Sequence, residues 1–248
     1  MGYENILVSD RGKVRIVTLN RKSPLNPLDM DTLREIKDAI LNSGSKVILL
    51  HGANRAFSAG ADINNFMKLT NDTAGIFAKE GHDIMNAIAS YPRPVIAAIH
   101  GYCLGGGFEL ALACDIRVAH PDTTFGLPEV NLGILPGFGG TQRLRHIVGE
   151  TLAFGLISTG KRYKAGEAFS YGLLNEVSEN YLEVAIKLAE ELSKKPKESL
   201  RLIKHLVRNA PDDIFEEEID AFGEVFAYPD REEGVKAFLE KREANFRD

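Results

Sequence analysis

Two carboxylates set among glycines and apolar residues are the side chains of this sequence best suited to acid–base chemistry. Glu109 follows three successive glycines, Gly105 to Gly107, and enters the apolar run Leu110 to Cys114. Glu129 lies 20 positions further on, directly after Pro128, with Val130 and Leu132 beside it. Such apolar surroundings raise a carboxyl pKa and turn it into a proton donor near neutral pH. Two carboxylates held in different surroundings divide acid and base work between them. The glycines add a second kind of chemistry. They stand at the expected start of a helix, where unpaired N–H groups and a partial positive charge accumulate. Without side chains they let an anion or a polarised carbonyl reach those groups. If a second N–H came from the 59–62 turn, the two would form an oxyanion hole, worth roughly 3–4 kcal/mol per donor.

Each of these residues also has an ordinary structural reading. A first-turn glutamate complements the helix dipole, and Glu129 alone could be an exposed loop acid. The octet Ala56 to Ile63, AFSAGADI, could be a tight turn. Other chemistries are excluded more firmly. Leu110 stands where a dinucleotide-binding G-x-G-x-x-G would place its last glycine, and no GK[ST] ending follows the glycines. There is no G-x-S-x-G elbow, and Ser58 has no adjacent base. His51, His82, His100, His120, His146 and His205 are dispersed, so no metal centre is expected. The only cysteines, Cys103 and Cys114, lack metal-ligand spacing and suit a reducing compartment.

The formal net charge of −5 provides no basic footprint for nucleic acid. No apolar run reaches the roughly 18 residues of a membrane span. MGYENILVSD lacks the charged and apolar regions of a secretion signal. The expectation is a soluble, cytoplasmic protein with neither nucleic acid nor membrane as partner.

The elements that must position the two acids follow from periodicity. Lys13 to Asn20 alternates as a strand, and Val47 to Leu50 is short and wholly apolar, as a buried strand is. Between them Met30, Leu33, Ile36 and Ile40 mark a helical face, with Thr32 and Glu35 at capping-box spacing. Asn64 to Gly75 is polar and aperiodic, as a loop would be, and Ile76 to Ser90 is helical. Pro92 and Pro94 end that helix before a strand at Val95 to Ile99. Short helices are expected at 151–158 and 165–171. From Tyr181 onward the pattern is amphipathic helix alone, the last opening at Val235. This places an α/β core at 1–180 and a helical region at 181–248, with a soft boundary.

Three motifs in sequence order carry a resemblance to a known family. AFSAGADI, then PVIAAIHGYCLGGGFELALACDIRVA, then FGLPEVNLGILPGFGGTQRL closely resemble the crotonase (enoyl-CoA hydratase/isomerase) superfamily. The likeness runs from LNRKSPLNPL to the terminal FLEKREANFRD. It implies an α/β spiral of repeated ββα units, whose C-terminal helices build trimers or dimers of trimers. It also implies that the backbone N–H groups of Ala61 and Gly106 polarise the carbonyl of an acyl-CoA thioester. Glu109 and Glu129 would hold a water between them, Glu109 activating it and Glu129 protonating the α-carbon. Ala59, Asp62, Phe222 and Lys241 match positions that contact coenzyme A, which is part of the substrate and not a cofactor.

The sequence departs from the family pattern in places. Asn64 stands where many relatives carry a lysine, and Arg21 or Lys68 would have to take over its phosphate contact. Phe108 replaces a smaller residue and is expected to narrow the acyl pocket. NPL replaces NAL early in the chain. The activity implied is reversible syn hydration of trans-2-enoyl-CoA to 3-hydroxyacyl-CoA, a hydro-lyase reaction of fatty-acid β-oxidation, without a metal. Enoyl-CoA isomerase and hydroxyacyl-CoA dehydratase are alternatives within the family. An RNA-binding protein and an inactive structural oligomer are alternatives outside it.

Overall fold

The structure, a computed structural model, describes residues 2–62, 69–209 and 215–246. Its centre is a six-stranded sheet. β1 (Ile6–Arg11) and β2 (Val14–Leu19) form an antiparallel hairpin. β3 (Val47–Gly52), β4 (Val95–Ile99), β6 (Ile116–Ala119) and β9 (Glu176–Val177) then add in parallel. Parallel strands covered on both faces need apolar residues at every position, and β4 is buried throughout. Its pleat sends Val95, Ala97 and Ile99 into the main core and Ile96 and Ala98 into a smaller one on the opposite face.

The second layer holds the site. β5 (Tyr102–Leu104), β7 (Thr124–Gly126) and β8 (Tyr163–Lys164) form a three-stranded sheet. Two isolated bridges, Leu28 with Ala61 and Ser58 with Cys103, extend it stepwise. Each repeat thus puts one strand in the large sheet, one short extended segment in the second layer, and then a helix. The helices following these segments are α1 (Met30–Leu41), α2 (Asn71–Ala89) and α3 (Gly106–Ala113). This is the mixed α/β arrangement expected, with the ββα unit repeated.

Several local expectations are corrected. Asp29, not Thr32, caps α1, its carboxylate accepting from the Thr32 N–H at 2.8 Å. Glu35 accepts instead from the backbone of Glu4 and Asn5 at 3.0 and 2.8 Å, which ties the N-terminal segment to α1. α2 opens at Asn71, inside the stretch expected as loop. Asp72 to Gly75 in its first turn are solvent-exposed, and the Thr70–Thr73 capping box marks the start. β1 was not legible because most of it is exposed, so pairing rather than burial makes it a strand.

Beyond β7 come a short 3-10 turn (Pro128–Leu132), α4 (Gly140–Val148), α5 (Glu150–Thr159) and α6 (Ala165–Ser170). α7 (Tyr181–Ser193) lays Ala185 and Ala189 against the second face of the large sheet. The change of character at Tyr181 is therefore no break in packing. α8 (Lys197–Asn209), α9 (Phe215–Val225) and α10 (Pro229–Leu239) complete the chain. α10 starts six residues before Val235 because Pro229 suits the first turn of a helix. Val207, Ile219, Phe222, Phe238 and Leu239 on these helices are all more than two-thirds exposed.

Candidate active site

The 58–61 turn is built by buried polar groups. Asn26, fully buried, donates from Nδ2 to the carbonyls of Ala53 and Ala56 at 2.9 and 2.8 Å. Ser58 Oγ donates to Asn26 O at 2.8 Å and accepts from Gly60 N at 3.1 Å. Within the bridge to Leu28, Gly60 O accepts from Leu28 N, and Asp62 N donates to Leu28 O. Strand alternation then turns the Ala61 N–H to the opposite side. The Gly106 N–H, at the first position of α3, has no acceptor within its own helix. These two turns lie against one another: a Cβ on Gly106 would stand 3.5 Å from the Ala61 nitrogen.

The acids meet at the same place. Glu109, in the first turn of α3, is 1% exposed. Its Oε1 accepts from Phe138 N at 2.8 Å and Gly140 N at 2.7 Å. The second glycine-rich turn thus exists to grip Glu109, and a Cβ on Gly140 would come within 2.9 Å of that oxygen. Burial pushes the Glu109 carboxyl above the ordinary range, while the two amides and the Arg143 cation pull it back. Glu129 is the second residue of the 3-10 turn. Burial, and then the charge of Glu109, lift its pKa to about 7. Gly105 makes room for it: a Cβ there would lie 2.9 Å from Glu129 Oε1, at a φ of +50° that side chains disfavour. Glu129 Oε2 is buried and has no hydrogen-bond partner among the described residues.

Glu109, Glu129, Ala59, Ala61 and Gly106 all line one cavity of about 520 Å³. Leu69, Phe77, Leu132, Ile134, Leu135 and Phe138 form its apolar wall. It therefore offers two main-chain donors, two carboxylates of different surroundings, and greasy walls that strengthen every charge inside. Among the described residues no cluster of three His, Cys, Asp or Glu is placed to hold a metal.

The remaining expected site residues are placed less centrally. Phe108 does not narrow the cavity. It is fully buried, with its ring edge-on to Phe125 and Tyr163 at centroid distances of 5.5 and 6.3 Å. Neighbours on a helix point about 100° apart, so the turn that aims Glu109 at the cavity sends Phe108 into the core. Arg21 is engaged inside the fold, paired with Asp29 at 2.8 Å and hydrogen-bonded to Asn5 and Thr32. Asp62 is half-buried behind the Leu28 bridge. Phe222 is 68% exposed, against Phe226 at a ring distance of 5.1 Å, and Lys241 is exposed on a left-handed turn with φ +54°. Lys68 and Asn64 lie outside the described residues.

The amides of Phe138 and Gly140, the support from Asn26, and Phe138 itself were not identified from sequence. The glycines of the 136–140 turn were the only signal, and they name no partner. Gly81 on α2 faces the Phe138 ring so closely that a Cβ would fall 2.0 Å from Cδ1. That ring is boxed in by Phe77 at 5.3 Å and by Gly106. Gly81→Ala is therefore expected to cost about 1–3 kcal/mol of stability, despite alanine's better helix propensity. Chemical denaturation of the purified variant checks this, and an unchanged or raised midpoint would show that the ring yields freely.

Repeated ββα units thus set two glycine-rich turns, the buried Glu109 and the half-buried Glu129 around one cavity. The enoyl-CoA hydratase/isomerase family pattern matches residues 10–248, and the chain belongs to that family. Crotonyl-CoA hydratase of Syntrophomonas wolfei subsp. wolfei is 42% identical over 257 residues, covering 99% of each chain. The short-chain-enoyl-CoA hydratase of Clostridium acetobutylicum is 38% identical, over 98% of this chain and 97% of its own length. Among solved structures, an enoyl-CoA hydratase subunit I of Geobacillus kaustophilus superimposes with a TM-score of 0.93 at 38% identity, covering 100% of this chain and 99% of the other.

Proposed function

We propose that this protein is an enoyl-CoA hydratase, a hydro-lyase that adds water to trans-2-enoyl-CoA and gives 3-hydroxyacyl-CoA. One observation carries the reading: both carboxylates and both amide-bearing turns line the same cavity. The thioester oxygen accepts from the Ala61 and Gly106 N–H groups, which stabilise the enolate-like charge that develops there. Glu109, with Oε1 occupied by two amides, presents Oε2 to a water molecule. It takes one proton as the water oxygen bonds to C3. Glu129 gives its proton to C2, which its pKa of about 7 suits near neutral pH. The proton gained by Glu109 then returns to Glu129 directly or through solvent. Both acids act from one side of the substrate, so the addition is syn. Dehydration is the same path reversed.

The names of two relatives, crotonyl-CoA hydratase and short-chain-enoyl-CoA hydratase, support a short acyl chain here. Coenzyme A enters as part of the substrate, and the proposed steps need no metal or cofactor. Ala59, Asp62 and Lys241 are proposed to contact it, with Phe222 reaching it from a neighbouring subunit. The exposed apolar residues of α8 to α10 support self-association as a trimer or a dimer of trimers. Among the described residues no helix is long and apolar enough to cross a membrane. Buried, unpaired cysteines fit a cytoplasmic role in fatty-acid β-oxidation.

The test is a panel of trans-2-enoyl-CoAs of increasing length with one β,γ-unsaturated isomer. Loss of enoyl absorbance, fastest with the crotonyl substrate, is the expected result. Conversion of the β,γ isomer without net hydration would instead make the protein an isomerase.

A further inference from the structure

Arg143, on α4, takes no part in the steps above, yet its side chain ties the turn that supports Glu109 to α2. Nη1 donates to Phe138 O at 2.8 Å, and Nη2 donates to Asn86 Oδ1 on α2 at 2.6 Å. Its backbone N–H also donates to Gly139 O at 3.0 Å. Phe138 is thereby held at both ends, its carbonyl by Arg143 and its N–H by Glu109 Oε1. Gly140, two residues on, supplies the other amide to the same oxygen. A guanidinium has the planar fork to reach two acceptors at once, which an ammonium does not.

We propose that Arg143 is a positioning residue for Glu109: by bracing Phe138 against Asn86 of α2, it fixes the two amides that aim the second Glu109 oxygen at water. The inference rests on Glu109 being the water-activating base of the proposed hydration. It also gives α2 a purpose beyond lining the cavity with Ala74, Phe77 and Ala78. The brace connects the helix beside the acyl group to the turn that holds the base.

Charge reinforces geometry. Glu109 faces Glu129 from the 3-10 turn and Arg143 from α4. Arg143 in turn faces Arg208 from α8 and Cys114 at the end of α3, and His82 of α2 lies beside Gly139. Of these, Arg143 is the cation that favours the ionised form of Glu109. A base must be ionised to accept a proton, so activity is lost as pH falls through the Glu109 pKa. Removing the Arg143 cation, and loosening the amides, disfavours the anion and moves that acidic limb to higher pH.

The experiment compares wild type with Arg143→Met, Arg143→Lys and Asn86→Ala, measuring kcat and KM for crotonyl-CoA across the acidic limb. Arg143→Met should lower kcat by on the order of ten- to a hundredfold, with a smaller change in KM, and carry the limb upward. Arg143→Lys keeps the charge but not the fork, so the limb should return toward wild type while kcat stays low. Asn86→Ala alters an exposed helix position and should fold; its kcat should fall a few-fold in the same direction. A folded Arg143→Met with wild-type kcat and limb overturns the proposal. So does a kcat loss that only tracks the folded fraction, with the limb unmoved. If Arg143→Met does not fold, Asn86→Ala decides, and wild-type behaviour there is the overturning result. A wild type that hydrates no enoyl-CoA removes the functional reading as well, whereas an active wild type with indifferent variants removes this inference alone.

Discussion

Glu129→Gln is expected to lower kcat for enoyl-CoA hydration by about 10²–10⁴-fold while leaving the protein folded. The substitution keeps the shape and removes the proton that C2 receives. The same variant has a second signature, in stability. Burial and the neighbouring Glu109 raise the folded-state pKa of Glu129 from 4.5 to about 7. The fold therefore favours the protonated acid. Its contribution is fully present below the ordinary value and is lost as pH rises through about 7. At about 1.4 kcal/mol per pH unit, the ionised form costs the fold on the order of 3 kcal/mol. Glu129→Gln cannot ionise, so its Tm should exceed that of wild type above neutral pH and converge with it in acid. An inactive variant whose Tm tracks wild type at every pH would place Glu129 in solvent and remove it from the site. An active variant would remove it from the chemistry.

Glu109→Gln should lose kcat by a comparable 10²–10⁴-fold, for a different reason. A glutamine oxygen still accepts from the Phe138 and Gly140 amides, so the turn stays closed, but the group no longer takes a proton from water. The two variants separate in their pH profiles. Wild-type hydration needs Glu109 ionised and Glu129 protonated, giving a bell whose alkaline limb follows the Glu129 pKa of about 7. Residual activity of Glu109→Gln should lack the acidic limb, and that of Glu129→Gln the alkaline one. Because the two carboxylates titrate as a coupled pair, the limbs belong to the pair in wild type and separate only in the variants. Profiles that keep both limbs in both variants would show that other groups titrate there.

Much of the fold is written locally. Val95 to Ile99 is apolar at every position because both faces of a parallel strand are covered, and such a run between prolines and glycines reads unambiguously. The helical periods from Tyr181 onward are as plain. What failed locally were elements made by pairing or capping. β1 is mostly exposed and becomes a strand only through β2. α2 opens on exposed residues marked only by a capping box, Asp29 rather than Thr32 caps α1, and Glu35 accepts from the N-terminal backbone instead of closing a capping box. Phe108 was misplaced for a related reason: its neighbour Glu109 points into the cavity, and one helical step carries the ring into the core instead.

By itself the sequence determined the chemistry's ingredients: two acids in apolar context, glycines at a helix start, and motifs in family order. Those depend on residue type and short-range spacing, which the chain states directly. Tertiary structure alone decided which groups meet. Glu109 is gripped by amides 29 and 31 residues away, and Glu129 approaches Gly105 across the fold. Arg143 reaches Asn86 over 57 residues. Arg21, offered with Lys68 as a replacement for the lysine missing at Asn64, is paired with Asp29. Main-chain N–H groups are chemically identical in every residue, so nothing in a sequence marks which of them will face a carboxylate or a thioester. Only the packing of one turn against another confers that.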